Sequence, residues 1–580
     1  MKYTLYIAIL CLMFSSCKSF LDEQVYSLRT EGNMYTKYED ADMAVMGIYS
    51  ILSGADGFRF PWQCLTTYGT DEAINYMGGV QNANYFRVSN YSLSASDAQV
   101  SALYALIYSA IMNCNEAYWQ IDKMNMREDL KQRLQAEALF LRAFCYFNLV
   151  QLWGEVRLNV GMPNFNEIVS RNAVRSPVSE VYARIAEDIE FAKQYLPVKW
   201  DYRGKETDDY RGRATKYAAY GLAAKIYLTM ASGSKYGVAG YEFDSNEYYR
   251  LAKGNADTVM VDGKGIGGHD LLSTYDDVFS YKNKYNREIL FDMTFCIGGP
   301  GSAYAKMGGP LGQGSFPYYV GGWPGRGYLR PSLYLALNTY GHTLLIADGA
   351  GVISQFTSDD ARFWFNIATY TLNGTTGLPQ NNLRGDPAQW TAQKFSMRTV
   401  TLEGGYGWQF APMNHPVLRY ADVLLIYAEA AGMLNLNDAS AYNAANLVRQ
   451  RAKVPGRNPT YLADWNPGDF ADTDQFMDAI LAERMKELCF EGHRRFDLLR
   501  TSRLFRAIED MKTAARNLET THNKALADLV YASDIINQKY DVNVKPYHIL
   551  FPIPQYEMNI VTNPNYKQNP GWMKATEYEE

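Results

Sequence analysis

The sequence runs to 580 residues (65.8 kDa), room for several domain-sized units and a large buried core. Hydrophobic residues make up 47% and charged residues 20%, a globular balance that excludes wholesale disorder. The net charge of −6 offers no basic excess to hold a phosphate backbone, which argues against nucleic acid as a partner.

The N-terminus is the first readable element. Lys2 precedes an apolar run, Tyr3 to Phe14, followed by Ser15, Ser16 and Cys17. Twelve residues fall short of the roughly 20 that a spanning helix needs, so residues 1–16 read as a signal peptide. Two small residues before a cysteine resemble a bacterial lipobox, after which Cys17 would be the acylated N-terminus. More than one acyl chain holds a protein on a membrane without crossing it. The alternative is a plain secretory signal with an incidental cysteine. Five cysteines follow Cys17, with no C-x-x-C pattern for redox or zinc chemistry. Most are expected in the core.

Further along, residues 54–90 ("GFRFPWQCLTTYGTDEAINYMGGVQNANYFRVSN" from Gly57) are irregular and rich in aromatics. Helical periodicity then takes over: "QAEALFLRAFCYFNLVQLWG" (135–154), "SEVYARIAEDIEFAKQYLP" (179–197, with Ser179 as N-cap) and "RATKYAAYGLAAKIYLTMASG" (213–233). Residues 263–416 lose the period, and 296–331 are dense in Gly, Pro and aromatics. Long loop tracts of this kind are usually functional. Helical pattern returns at "VLRYADVLLIYAEAAGML" (417–434) and "AILAERMKELCFEGHRRFDLLR" (479–500). Alanine recurring among Tyr, Phe and Leu permits close helix approach, as in tetratricopeptide repeats, and predicts three or four hairpins stacked as a solenoid. The little β-structure is expected within 263–416. The fold class is mainly α, with an irregular, loop-rich subdomain.

Catalytic motifs are weak. "GKGIGG" (263–268) matches G-x-G-x-x-G but lies outside any βαβ unit and reads as a loop. None of the six histidines makes a zinc motif, so neither a metal nor a cofactor is expected. Glu483, Glu487 and Glu491 recur every four residues on one helix face, with Arg494 and Arg495 at ion-pair spacing from Glu491. The spacing favours a partly buried Glu/Arg network bracing the scaffold over a di-carboxylate site. Acidic pairs at Asp71–Glu72, Asp208–Asp209, Asp276–Asp277 and Asp359–Asp360 leave hydrolysis as a minor alternative.

Several stretches together resemble the SusD/RagB family of surface nutrient-binding lipoproteins: "SCKSFLDEQ", "AEALFLRAFCYFNLVQLWGEV", "VLRYADVLLIYAEA", "ERMKELCFEGHRRFDLLR" and "LFPIPQYEMNIVTNPNYKQNPGW", in family order across nearly the whole chain. One departure is the loop "RLNVGMP" after "LWGEV", which lacks the usual Pro-Leu. The resemblance implies a SusD-like fold, with an N-terminal region at 17–262 and a C-terminal region at 263–580 that contains the loop-rich insert 263–416. It also implies a protein that binds rather than cleaves, on the exterior of a Bacteroidetes-type outer membrane. There it would cap a SusC-like TonB-dependent transporter and capture oligosaccharides or, alternatively, oligopeptides.

Sugar rings need flat aromatics with polar neighbours. Candidates in the first irregular segment are Trp62, Tyr68, Asp71, Asn75, Tyr76, Asn82 and Asn84. In the second they are Tyr318, Tyr319, Trp323 and Arg326. Such a site requires the two segments, some 250 residues apart, to meet in the fold.

Overall fold

The structure, a computed structural model, describes residues 34–54, 57–58, 60–75, 87–161, 173–202, 205–206, 211–295, 329–332, 334–340, 342–347, 352–372, 379–382, 390–395, 414–454, 462–521 and 544–572. It is mainly helical. Among the described residues, twelve helices have at least seven residues: α1 (Tyr38–Leu52), α2 (Phe60–Thr67), α3 (Ala98–Lys123), α4 (Glu128–Trp153), α5 (Val178–Tyr195), α6 (Lys216–Lys235), α7 (Ser245–Thr258), α8 (Tyr420–Leu434), α9 (Ala439–Arg451), α10 (Thr473–Leu488), α11 (Arg494–Arg500) and α12 (Leu504–Thr521). Successive helices pack in series from α3 to α9, and α10 also lies on α8. α11 draws the two ends of the array together, touching α2, α6 and α10. One apolar core runs through the array, from Ala41 to Tyr566.

From Leu134 to Trp153 α4 is enclosed on all sides, every residue there being buried. Its polar side chains must therefore find partners inside the protein. Arg142 forks onto Asp188 (2.7 and 2.6 Å) and reaches Asn115 (2.6 Å). Glu137 takes Arg213 and the Tyr49 hydroxyl (2.7 Å). The alanine-rich composition does what its small size allows. At Gly432 on α8 a Cβ would lie 2.3 Å from the Phe476 ring, so only a bare backbone lets α8 meet α10 this closely. α6, α7, α9 and α10 start on Thr215, Asp244, Asp438 and Asp472, whose side chains accept first-turn N–H groups. At α5 the N-cap is Pro177, two residues before the expected Ser179. The "GKGIGG" run begins where a π turn, Val259–Gly263, extends α7, with no strand feeding it. Cys64, Cys114, Cys145 and Cys489 are free and buried, as core residues.

β-structure is sparse: the described strands form two-stranded antiparallel ladders. His415–Arg419 pairs with Ile289–Met293, so residues 417–419, expected to begin a helix, are strand. Two further ladders reach outside the 263–416 tract. One is the small hairpin of Asp201–Tyr202 with Lys205–Glu206. The other joins Ala73–Asn75 to Leu329–Pro331.

The helix expected over 479–500 is broken. α10 ends at Leu488, Phe490 and Gly492 take φ of +66° and +83°, and α11 starts at Arg494. Glu491 therefore lies in a turn, off the Glu483–Glu487 stripe, and its partners come from elsewhere in the chain. Arg419 forks onto it (2.7 and 2.8 Å), and Lys394 reaches it at 2.8 Å. Arg419 also reaches Glu288 (2.7 Å) and Glu487 (3.1 Å), while Arg451 pairs with the same two carboxylates. Arg362 binds Asp360 (2.7 Å), Glu483 (2.7 Å) and Glu487 (3.2 Å), and Arg449 binds Glu483 (2.7 Å). The bracing network is thus fully buried rather than partly so, and it is built across the fold rather than along one helix. Burial pushes the carboxyls of Glu483, Glu487 and Glu491 upward, but the surrounding cations outweigh it and hold each at about 2. Glu288, Asp360, Arg362 and Lys394 belong to the loop-rich tract, whereas Arg449, Arg451, Glu483 and Glu487 belong to helices. Ion pairs fasten one to the other.

Candidate ligand-binding site

The two irregular segments meet. After α2 the chain turns at Gly69 (φ +71°), passes Thr70, Asp71 and Glu72, and enters the short strand Ala73–Asn75. It is back beside Gly69 by residues 88–91, where the Tyr91 hydroxyl donates to the Gly69 carbonyl. A Cβ at Gly69 would lie 3.0 Å from the Val88 carbonyl oxygen, so the return depends on that glycine. The second segment leaves at Phe295, whose N–H donates to Asn414 (3.1 Å) and whose carbonyl accepts from Lys284 (2.7 Å). It re-enters at Leu329. In the antiparallel ladder Ala73 faces Pro331, Ile74 faces Arg330, and Asn75 faces Leu329. The last described residue before span 76–86 is therefore paired in register with the first described residue after span 296–328.

Below the ladder, Asp71 and Glu72 are joined to both of its sides. The Ser332 N–H donates to the Glu72 carbonyl (2.9 Å), and the Ser332 hydroxyl donates to the Asp71 carbonyl. Arg494, the first residue of α11, forks onto the Asp71 carboxylate (2.8 and 2.6 Å). The Phe490 N–H donates to Glu72 Oε1 (2.7 Å). Gly492 presses on α2: a Cβ there would come within 2.8 Å of Thr66 Oγ1 and 2.9 Å of Trp62 Nε1. With φ at +83° as well, glycine is the residue the turn admits. Burial pushes the Glu72 carboxyl up to about 8, against the pull of the Phe490 N–H, Lys394 and Arg494, while the Asp71 charge adds to the rise.

The candidate residues divide accordingly. Trp62 is a core side chain, its ring 4.5 Å from Phe58 and 5.6 Å from Phe496. Tyr68 is also interior. Asp71, expected as an acceptor for a ligand hydroxyl, is 1% exposed and committed to Arg494. These three have the surroundings of structural residues: an apolar ring at the end of α2 and an acid opposite a buried guanidinium both belong inside. Asn75 ends the ladder strand. Tyr76, Asn82, Asn84, Tyr318, Tyr319, Trp323 and Arg326, together with Cys17, lie outside the described residues. Sequence reading missed Arg494 and Arg495 as long-range ligands. Arg494 goes to Asp71, and Arg495 donates to the His548 carbonyl (3.0 Å), neither reaching Glu491. The available signal was the glycine in "EGHRR", which breaks the helical spacing on which the local pairing depended.

Residues 237–572 match the model of the SusD family, and residues 20–228 match a model described as starch-binding associating with outer membrane. A SusD-like protein of Formosa agariphila is 26% identical over an alignment of 598 residues that covers 97% of each chain. Another, from Bacteroides ovatus, is 26% identical over 471 residues, 79% of this chain and 78% of that one. Among solved structures, a SusD homologue from Bacteroides thetaiotaomicron superimposes with a TM-score of 0.74 at 23% identity, covering 94% of this chain and 99% of its own. A laminarin-binding SusD-like protein gives 0.66 at 21% identity, covering 93% and 100%.

Replacing Asp71 by alanine leaves the Arg494 guanidinium buried without its carboxylate. The expected loss of stability is about 3–5 kcal/mol, the usual cost of breaking a buried ion pair from one side. Denaturant unfolding of Asp71→Ala checks this, and a variant as stable as the parent would show that the pair does not hold the ladder base.

Proposed function

The chain belongs to the SusD family, and from that premise we propose that it is a cell-surface lipoprotein that binds oligosaccharides and hands them to a SusC-like TonB-dependent transporter in the outer membrane. The observation that carries this reading is the register of Asn75 with Leu329, which gives the two aromatic-rich segments a common base. Tyr76, Asn82, Asn84, Tyr318, Tyr319, Trp323 and Arg326 are the proposed contacts, with Trp323 as a stacking platform in "VGGWPGRG". Binding is favoured over hydrolysis because Asp71 and Asp360, from the acidic pairs that suggested a glycosidase, are buried opposite Arg494 and Arg362. Neither of these two carboxylates is free to act on a glycosidic bond. Cys17 is the proposed acylation site.

The laminarin-binding neighbour and the starch-binding description of one matched family make laminarin and starch oligosaccharides the first probes. Titration calorimetry on protein lacking residues 1–17 tests the reading. Trp323→Ala is expected to weaken the best-bound oligosaccharide by about 1–2 kcal/mol, as for an aromatic anchor, or roughly five- to thirty-fold. It should melt with the parent. Unchanged affinity would remove Trp323 from the site, and absence of binding to any glycan would turn the test to peptides.

Anchoring is separable. Cys17→Ala is expected to move the protein out of the membrane fraction. If the variant stays membrane-bound in cells lacking the transporter, acylation at Cys17 is not the anchor.

A further inference from the structure

Behind the turn that carries Glu491, Gly492 and His493 lies a small cavity of about 40 Å³, walled by α2, α4, α6, the strand His415–Arg419 and the turn itself. Phe144, Phe147, Leu222 and Phe496 make much of the wall apolar. Two lining side chains each carry a polar atom with no hydrogen-bond partner among the described residues: Trp62 at Nε1 and His415 at Nδ1. These side chains are 6% and 2% exposed, so bulk solvent serves neither atom. Both are held in place. The Trp62 ring packs on Phe58 and Phe496, and a Cβ at Gly492 would lie 2.9 Å from its Nε1. His415 is fixed in the ladder opposite Met293. Buried polar atoms of this kind are nearly always paired, with protein or with ordered water.

The charges around the cavity already answer one another. Lys225 donates to Asp422 (3.0 Å) and to His493 Nδ1 (2.6 Å), which leaves one of its three N–H groups over. Glu491 is taken by Arg419 (2.7 Å) and Lys394 (2.8 Å). Burial pulls both imidazoles down, His415 to about 4 and His493, beside Lys225, to about 3, so both rings are neutral at ordinary pH. A small anion would meet no unpaired cation here, and a metal ion no free carboxylate. What the wall offers is neutral and mixed: N–H donors at Trp62 and Lys225, a ring nitrogen at His415, and amide oxygens at Asn148 and Gln151, whose nitrogens go to the Phe144 and Phe147 carbonyls (2.7 and 2.9 Å). Such a set suits a molecule that both donates and accepts. The volume is far below the roughly 300 Å³ at which small-molecule sites begin. It has room for about two or three waters, each needing roughly 10–15 Å³.

We propose that this cavity is an internal water site, in which ordered waters accept from Trp62 Nε1, pair with His415 Nδ1 and reach Lys225, so that α2, the 415–419 strand and α6 are joined behind Gly492. Water serves His415 in either tautomer, because it can donate to the ring nitrogen or accept from it. The bridge is independent of the oligosaccharide reading. It adds directional contacts where α2 meets the turn, a junction otherwise made by apolar rings and a bare glycine backbone.

Crystals of the protein lacking residues 1–17, diffracting well enough to show ordered water, test this directly. Water density is expected within hydrogen-bond distance, about 2.7–3.2 Å, of both Trp62 Nε1 and His415 Nδ1. Two soaks separate the alternatives. Xenon enters apolar cavities that are dry, so an anomalous xenon peak in this cavity would overturn the proposal. Bromide marks anion sites, and an anomalous bromide peak there would assign the cavity to an anion instead. A cavity closed by its own side chains, or waters that leave either of the two atoms unserved, would overturn the proposal as well.

Discussion

The turn between α10 and α11 is the constraint on which the rest of the candidate site depends. Within five residues it carries a left-handed phenylalanine whose N–H holds Glu72, a glycine whose missing side chain admits Trp62 and Thr66, and an arginine that closes on Asp71. A straight helix through 489–493 would point these groups along one axis. The break sends Glu491 into the charged network and Arg494 toward the ladder, so one turn joins two systems that are remote in sequence.

The charged network explains how a helical array holds the 263–416 tract in place. Here directional bonds do the fastening. Glu288, Asp360, Arg362 and Lys394 project from the tract into a cluster completed by Arg449, Arg451, Glu483, Glu487 and Glu491. Buried ion pairs contribute little net stability for the desolvation they require, yet breaking one from a single side is severe. They therefore penalise every arrangement but one, which suits a segment whose placement matters more than its own stability.

Much of the helical frame was legible in the sequence, because its helices are long and periodic: the expected stretches at 135–154, 179–197 and 213–233 overlap α4, α5 and α6, though α4 starts seven residues earlier, at Glu128. The buried character of the Glu/Arg cluster was partly legible too, since carboxylates and guanidiniums sat at matching spacing. Their partners were not. Local spacing assigned Arg494 to Glu491, whereas Gly492 turns the chain and hands Arg494 to Asp71, 423 positions away. Trp62 and Asp71 looked like binding groups because residue type and loop context cannot distinguish a platform from a core ring, or a free acid from a paired one. The meeting of the two aromatic segments came from family resemblance alone. A three-residue strand such as Ala73–Asn75 has no periodicity to betray its partner.

The central claim is that the two aromatic-rich segments, fixed at one base, serve one ligand. Hydrogen–deuterium exchange with and without a bound oligosaccharide tests it most directly, because it reads every segment of the chain at once. The account predicts that the ligand slows exchange in both 76–86 and 296–328, with α4 and the buried ion-pair network unaffected. Protection confined to one segment, or appearing elsewhere on the helical array, would contradict it.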